Sequence, residues 1–388
     1  MEQNKTAPST KRFAAWFGLG AMMFGTYCGG SMASGAYATG YMTTFGGGYM
    51  LAFLAIFCIF MAFFCIISLN FIRTYHVDDY NQYYLSLYAL DHTSAHPVLK
   101  AIVTIFFDVY TVLMGLITTA GTINLFGQLM NSIFGIPVVA GSLIAVLLFA
   151  VLTIYGSGFL RKFNTVMTIG LVVCLLAILF AVVGIRGDVL ADRVGNFDVG
   201  MDWSGTTLKA HMLMFLSYCF TTSSWGSTLC NYSEKIRDQK DAVGAGVLIA
   251  VLVTALFAVT SLIVLPFLPE MFNDAPILNI CQQYLAPALT VVYWVVVIFS
   301  VVSTGPTFTY NVSRRFSKVW KTEKVNEKVK FFILSLVFLL LCFLVSNVGL
   351  MAIVQKGFST MGGIAGFAIG IPLLISIYRV WRKNRAVC

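Results

Sequence analysis

The chain has 388 residues, of which 59% are hydrophobic and only 11% charged, and its mean hydropathy is +0.85. This composition excludes a soluble globular protein and indicates a polytopic membrane protein. A net charge of +9 could suggest a nucleic-acid partner, but the Lys and Arg residues lie in short connections between apolar segments. We therefore expect the lipid bilayer as a partner and no nucleic acid.

Apolar segments of about 20 residues predict ten membrane-spanning helices. Their approximate bounds are 13–42, 49–72, 98–130, 137–157, 163–185, 207–230, 242–267, 286–313, 330–346 and 349–378. An even number of spans places both termini on one side of the membrane. That side is predicted to be cytoplasmic, because it then holds every Lys and Arg residue except Arg186, Arg193, Lys209 and Lys356.

The first span is interrupted by a segment rich in glycine and hydroxyl residues, GTYCGGSMASG at 25–35. Such residues weaken a helix, and backbone groups freed inside hydrocarbon are tolerated only where they face protein or a polar cavity. Transporters use such breaks to aim carbonyls and half-helix ends at a substrate or a coupling ion. A small-residue packing face that includes Gly29 and Ala33 is the alternative interpretation.

The third span carries a polar stripe and the only carboxylate predicted inside a span, Asp108. The stripe consists of Thr104, Asp108, Thr111, Gly115, Thr119 and Thr122. Because Asp108 lies about ten residues into the span, we expect it near the midplane, where an ionisable residue indicates a functional site. It could bind a cationic group of the substrate, take up a coupling proton, or form a structural ion pair with Lys356 in the last span. The preceding polar stretch, 73–97, predicts a solvated amphipathic connector.

A second break occurs in the sixth span, at residues 217–228, SYCFTTSSWGST. Four consecutive hydroxyl residues precede Trp225 and Gly226 there, and they compete for backbone partners. Because the two breaks are five spans apart, they predict an inverted repeat with a site at its interface. The predicted organisation is a cytoplasmic tail (1–12), a first five-helix repeat (13–185), an extracellular connection (186–206), a second repeat (207–378) and a cytoplasmic tail (379–388).

The eighth span carries a second polar stripe, formed by Ser300, Ser303, Thr304, Thr307 and Asn311. A single Ser or Thr in a span more often bonds to a carbonyl of its own helix. Paired with a broken helix, however, the hydroxyls of Ser303 and Thr304 and the freed carbonyls are the hard oxygen ligands that Na⁺ accepts.

With both breaks in place, the chain resembles the YkvI-type membrane proteins of the amino acid–polyamine–organocation superfamily. The resemblance is carried by GTYCGGSMASG at 25–35 and, less specifically, by FSVVSTGPT at 299–307. It implies the LeuT-like fold, an all-α membrane architecture of two inverted five-helix repeats. The implied substrate-binding residues are Thr26, Tyr27, Gly29, Gly30, Asp108, Thr111, Tyr218, Thr222 and Trp225. The implied ion-binding residues are Gly25, Cys28, Ser303 and Thr304.

We therefore predict a secondary active transporter of a small polar organic solute, an amino acid or related amine, in the cell (inner) membrane. The resemblance also favours Na⁺ as coupling ion, because span five lacks the mid-membrane lysine that replaces the ion in some proton-coupled relatives. Asp108 leaves proton coupling and a quaternary amine open, with Lys356 as a gating or charge partner. No resident metal or cofactor and no enzymatic activity are expected. A solute sensor of the same fold, similar to spore germinant receptor subunits, is the alternative. The oligomeric state is not predicted.

Overall fold

The structure, a computed structural model, describes residues 9–27, 29–92, 96–154, 157–198, 201–230, 234, 236–319 and 326–387, and these residues contain helices and no strand. The α-helices are α1 Ser9–Tyr27, α2 Gly30–Ala33, α3 Gly47–Tyr75, α4 Tyr80–Leu87, α5 Pro97–Phe134, α6 Val138–Ile154, α7 Ser157–Gly195, α8 Leu208–Cys219, α9 Gly226–Leu229, α10 Gln239–Val264, α11 Pro276–Tyr284, α12 Pro287–Val319, α13 Glu327–Ser346, α14 Leu350–Ala352, α15 Ser359–Ala365 and α16 Ile371–Val387. Wider π-helical turns occupy Ala38–Met42, Ile353–Phe358 and Gly366–Gly370, and tighter 3₁₀ turns occupy Phe220–Trp225 and Leu265–Phe267.

Ten membrane spans account for these helices. Seven helical segments of the described chain are long and apolar enough to cross a membrane. Six of them are all or most of α3, α5, α7, α10, α12 and α13. The seventh is the continuous segment Leu350–Lys383, which includes α14, α15 and most of α16. The apolar α6 is a shorter eighth span. The first span is broken into α1, α2 and a π turn, and the sixth into α8, a 3₁₀ turn and α9. The prediction of about ten spans, with the first and sixth broken, is therefore confirmed.

Both ends of the described chain lie at the same end of the helix bundle. Arg12 of α1 forms an ion pair with Asp238, which precedes α10 (2.9 Å). Arg379 of α16 donates to the carbonyl of Leu87 in α4 (2.9 Å). Helix α4 follows α3, and α3 packs antiparallel along α10, so these contacts share one end. We call it the terminal end and the opposite one the far end.

Helix α7 continues ten residues beyond the end predicted for the fifth span at 185. The helix kinks at Arg186, whose backbone leaves helical geometry (φ −134°). The Arg186 guanidinium donates to the carbonyl of Pro266 (3.0 Å) and lies 4.5 Å from the centre of the Phe267 ring. These contacts hold a polar helical extension that hydropathy alone does not detect.

The connector at 73–97 is amphipathic, as predicted, but one of its faces is docked on the bundle, so the prediction of a solvated connector is wrong. Its helix α4 buries Tyr83 and Tyr84 completely, and the Tyr84 ring stacks on Phe107 of α5 at 3.7 Å. Asp79 caps the helix by accepting from the N–H of Asn81 (2.7 Å). The tyrosine face of this amphipathic segment therefore docks onto the bundle and fixes α4 against α5.

Candidate solute-binding site

The first break lies beside the second break and beside the eighth span. Helix α1 ends at Tyr27, whose ring centre is 4.6 Å from that of Trp225 in the second break. Gly29 is buried, and a Cβ atom there would lie 3.2 Å from the Thr304 methyl of α12. Helix α2 then begins at Gly30. The two irregular segments and the polar face of α12 thus meet, as the sequence predicted.

In the second break, the hydroxyls stabilise a 3₁₀ turn. Thr221 donates to the carbonyl of Tyr218 (2.7 Å), Thr222 to that of Cys219 (2.6 Å) and Ser224 to that of Thr221 (2.7 Å). Each bond reaches three residues back, which is the spacing of a 3₁₀ turn. The Thr222 hydroxyl therefore supports the shape of the break, as expected for a helical hydroxyl that bonds to its own backbone.

Aromatic rings fill the space between the breaks and the far end. Tyr218 is buried, and its ring stacks on Tyr41 at 4.1 Å with an interplanar angle of 13°. Phe57 of α3 lies parallel to Tyr218 on the other side (5.8 Å, 10°). The Tyr41 hydroxyl contacts the Ser359 hydroxyl (3.0 Å) and donates to the Val354 carbonyl. Tyr41 and Val354 belong to facing π turns, so spans one and ten are joined here.

Helix α11 closes the far end above the first break. The N–H of Ile277 donates to the carbonyl of Ser34 (2.9 Å). Gly35 has φ of +85°, and a Cβ atom there would lie 2.8 Å from Ile277 and 2.9 Å from Pro276, so only glycine fits. The Tyr293 hydroxyl of α12 donates to the carbonyl of Ala33 (3.1 Å). The described part of the chain therefore seals the first break from the far side.

In the terminal half of the bundle, some polar residues of α5 and α12 are exposed. Thr111 is exposed although it lies on the face of α5 opposite the lipid-facing residues Ile105 and Val109. Asn311 is likewise exposed, about a third of a turn from the exposed apolar face of α12. Toward the centre the same two stripes are buried, at Thr119 and Thr304. The polar stripes of both helices are therefore more exposed toward the terminal end than near the breaks.

Asp108 pairs with Arg315 of α12, and the proposed ion pair with Lys356 is wrong. Its carboxylate also accepts from the Tyr80 hydroxyl (3.3 Å). Lys356 is exposed in a π turn near the far end of span ten, whereas Asp108 lies in the terminal half of α5. The expected midplane depth fails because α5 has 38 residues, about 57 Å, and exceeds the roughly 30 Å hydrocarbon core.

The structure describes only some of the predicted ion ligands. Cys28 and the side chains of Thr26 and Ser303 lie outside the described residues. Gly25 is half-buried near the end of α1, and the Thr304 hydroxyl donates to the carbonyl of Ser300 (2.9 Å). A Thr hydroxyl that donates in this way keeps its lone pairs for a cation. The ion site therefore stays a prediction.

Sequence reasoning missed three features of this region: the Tyr41 hydroxyl, the plug formed by α11, and Arg315 as the partner of Asp108. His211 is also buried, and its ring bonds to the carbonyl of Tyr41 (3.0 Å). For the contacts of Tyr41, the one sequence signal was its spacing from Tyr37, four residues away on the same helical face. Helix α11 is too short for a span and carries no motif.

No protein-family model and no curated protein sequence matches the chain. Solved structures do match. The inward-facing conformation of Mhp1 superposes with a TM-score of 0.60 at 14% identity, over 96% of this chain and 80% of that one. MhsT in complex with L-phenylalanine gives 0.57 at 16% identity, over 94% and 89%. The Eremococcus coleocola manganese transporter gives 0.56 at 12% identity, over 98% and 81%. At such identities these matches show the fold alone. The predicted LeuT-like fold is confirmed, whereas membership of the YkvI-type proteins stays a prediction.

Proposed function

We propose that the chain is a secondary active transporter that moves a small polar organic solute by alternating access. The observation that carries this proposal is the pair of broken spans that meet inside the bundle, where contacts of α11 and α12 cover the far side of the first break. A site that faces one side at a time is what alternating access requires. The similar structures support the proposal, since they include a nucleobase-cation-symport-1 transporter and a Na⁺-coupled sialic acid symporter.

We propose an amino acid or related amine as the solute. The rings of Tyr27 and Trp225 offer an apolar and cation-attracting surface beside the break. MhsT, of similar fold, binds L-phenylalanine. Because Asp108 is held by Arg315, the charged groups of the solute would be met by carbonyls and half-helix ends freed at the breaks. Thr111 and Asp108 then line the route to the terminal end.

We further propose Na⁺ coupling, with Gly25, Cys28, Ser303 and Thr304 as the ion site, in the cell membrane with cytoplasmic termini. The buried Thr304 next to Gly29 supports this site because it brings a hydroxyl to the first break. The basic residues of the connections support the orientation.

The test begins with a thermal-shift screen of amino acids and amines in Na⁺ and in K⁺. Each compound that stabilises the protein is then offered, labelled, to proteoliposomes under an inward Na⁺ gradient. We expect concentrative uptake that is lost when the gradient is collapsed. Trp225→Ala should abolish binding at an unchanged unliganded unfolding temperature, and Trp381→Ala, an exposed tryptophan of α16, is the matched control. Binding without flux would refute transport and favour the sensor.

A further inference from the structure

A cavity of about 560 Å³ opens at the far end, away from the breaks. It lies between the ends of α5 and α6 on one side and α11 with its preceding loop on the other. The lining residues are Asn124, Gln128, Asn131, Ser132, Val138, Asn273, Asp274, Leu278, Asn279 and Gln282. Its volume is within the range of about 300–1,000 Å³ that small-molecule sites occupy.

The cavity concentrates amide side chains. Six of its ten lining residues are Asn or Gln, which together make up only twenty-one of the 388 residues. Asn124, Gln128 and Asn131 lie at i, i+4 and i+7 and share one face of α5. Asn279 and Gln282, at i and i+3, form the facing row on α11. The Gln282 amide donates to the Ser132 hydroxyl (2.6 Å) and joins the two walls.

The hydrogen bonds of these amides leave side-chain oxygens that can accept from a ligand. The Asn124 amide donates to the carbonyl of Ser346 (2.9 Å), which fixes the orientation of the amide. Its oxygen then accepts from the amide of Gln128 (2.7 Å). Asn131 donates to the carbonyl of Ile136 (3.0 Å). Each of these amides therefore uses one of its two N–H groups, and within the described chain the side-chain oxygens of Gln128, Asn131 and Gln282 accept no hydrogen bond.

Asp274 adds the only ionisable group to the lining. Its two carboxylate oxygens accept from the N–H groups of Leu350 (3.1 Å) and Met351 (2.8 Å) at the start of span ten. A carboxylate offers about four acceptor positions, so two remain. The cavity thus combines one negative charge with several neutral acceptors.

We propose that this cavity binds a small protonated primary amine, at a site separate from the breaks. An ammonium group has three N–H donors and one positive charge, which match the free amide oxygens and Asp274. A bound amine would bridge α5, in one wall, and α11, which plugs the far end through Ile277 and Ser34. Occupancy would therefore favour the sealed far end, because the ligand binds both walls only when α11 is seated.

The experiment titrates the full-length protein in detergent with ethanolamine and, as its uncharged counterpart, 1,2-ethanediol. We expect calorimetric binding of ethanolamine only. Gln128→Leu and Gln282→Leu should each raise the dissociation constant about tenfold, the effect of losing one charge-assisted hydrogen bond. Asn347→Leu, at an exposed far-end amide outside the cavity, should leave it unchanged. Hydrogen exchange over 273–284 should slow with ethanolamine, but not in Gln282→Leu.

Gln282→Glu keeps the proposal testable if the leucine variants misfold. The Ser132 hydroxyl can donate to the new carboxylate, so the bridge is kept, and the added charge should tighten ethanolamine binding. Equal binding of the two probes, unchanged affinity in both leucine variants, weaker binding by Gln282→Glu, or loss of binding in Trp225→Ala would each overturn the proposal. None of these results depends on transport.

Discussion

Breaking the Asp108–Arg315 pair should destabilise the protein by about 1–2 kcal/mol. The side chains are 26% and 28% exposed, so the pair lies between an exposed ion pair, worth about 0–1 kcal/mol, and a buried one, whose breakage costs about 3–5 kcal/mol. Asp108→Asn keeps a hydrogen-bonding side chain but removes the charge. Arg315 then keeps its contact with the Tyr80 ring, 4.8 Å away, which limits the loss.

The assay is a double-mutant cycle on the purified protein, followed by thermal or denaturant unfolding. Asp108→Asn, Arg315→Gln and the double variant are compared with the parent, and the coupling free energy should be about 1 kcal/mol. Lys356→Met is the matched control, because Lys356 is exposed and does not contact Asp108. It should couple with Asp108→Asn by less than about 0.5 kcal/mol, as expected for distant sites.

Two results would refute this reasoning. Coupling of Asp108 to Lys356, with none to Arg315, would show that α5 and span ten are placed differently. A normal unfolding free energy for Asp108→Asn together with complete loss of solute binding would show instead that Asp108 contacts the solute directly.

Three further predictions test local packing and charge. Gly29→Ala should lower the unfolding temperature because its Cβ would lie 3.2 Å from the Thr304 methyl, and adding Thr304→Ser should restore it. Gly362→Ala should cost about 1–3 kcal/mol because a backbone carbonyl lies 1.9 Å from the added atom, whereas Gly170→Ala, with open space, should be neutral or stabilising. Partial burial raises the pKa of Asp238, but its backbone and arginine partners outweigh burial and hold the pKa below its ordinary value. Asp238→Asn should therefore be destabilising at pH 7, and the difference should begin to shrink as the pH falls below about 4, the ordinary pKa of Asp, and vanish only below the lowered pKa of the folded state.

The membrane spans and both breaks could be predicted from the sequence because they follow from composition. Hydrocarbon demands long apolar helices, and glycine and hydroxyl residues weaken a helix wherever they cluster. The depth of Asp108 could not be predicted, because hydropathy finds where an apolar run begins but not how far the helix extends into water. Its partner was missed because Arg315 was assigned to a connection, whereas α12 continues to Val319.

The far-end seal could not be predicted because its contacts use backbone carbonyls as acceptors. The side chains of Tyr41, Gln355 and Tyr293 bond to the carbonyls of Val354, Gly40 and Ala33. Every residue has a carbonyl, so no residue type in the sequence marks the acceptor. Only the donors, two tyrosines and a glutamine, were visible, and tyrosines in a span are more often packing residues.

These carbonyls lie in segments where the helices are irregular. Val354 and Gly40 lie in π turns, and Ala33 ends the short helix beside the first break. In a regular α-helix each of these carbonyls would accept from the N–H four residues on and keep one lone pair for a side chain. The irregular segments therefore supply acceptors that close the far end, and under the proposed function they also present polar groups to the solute. Substitutions that restore regular helix in these segments should impair the site and the seal together.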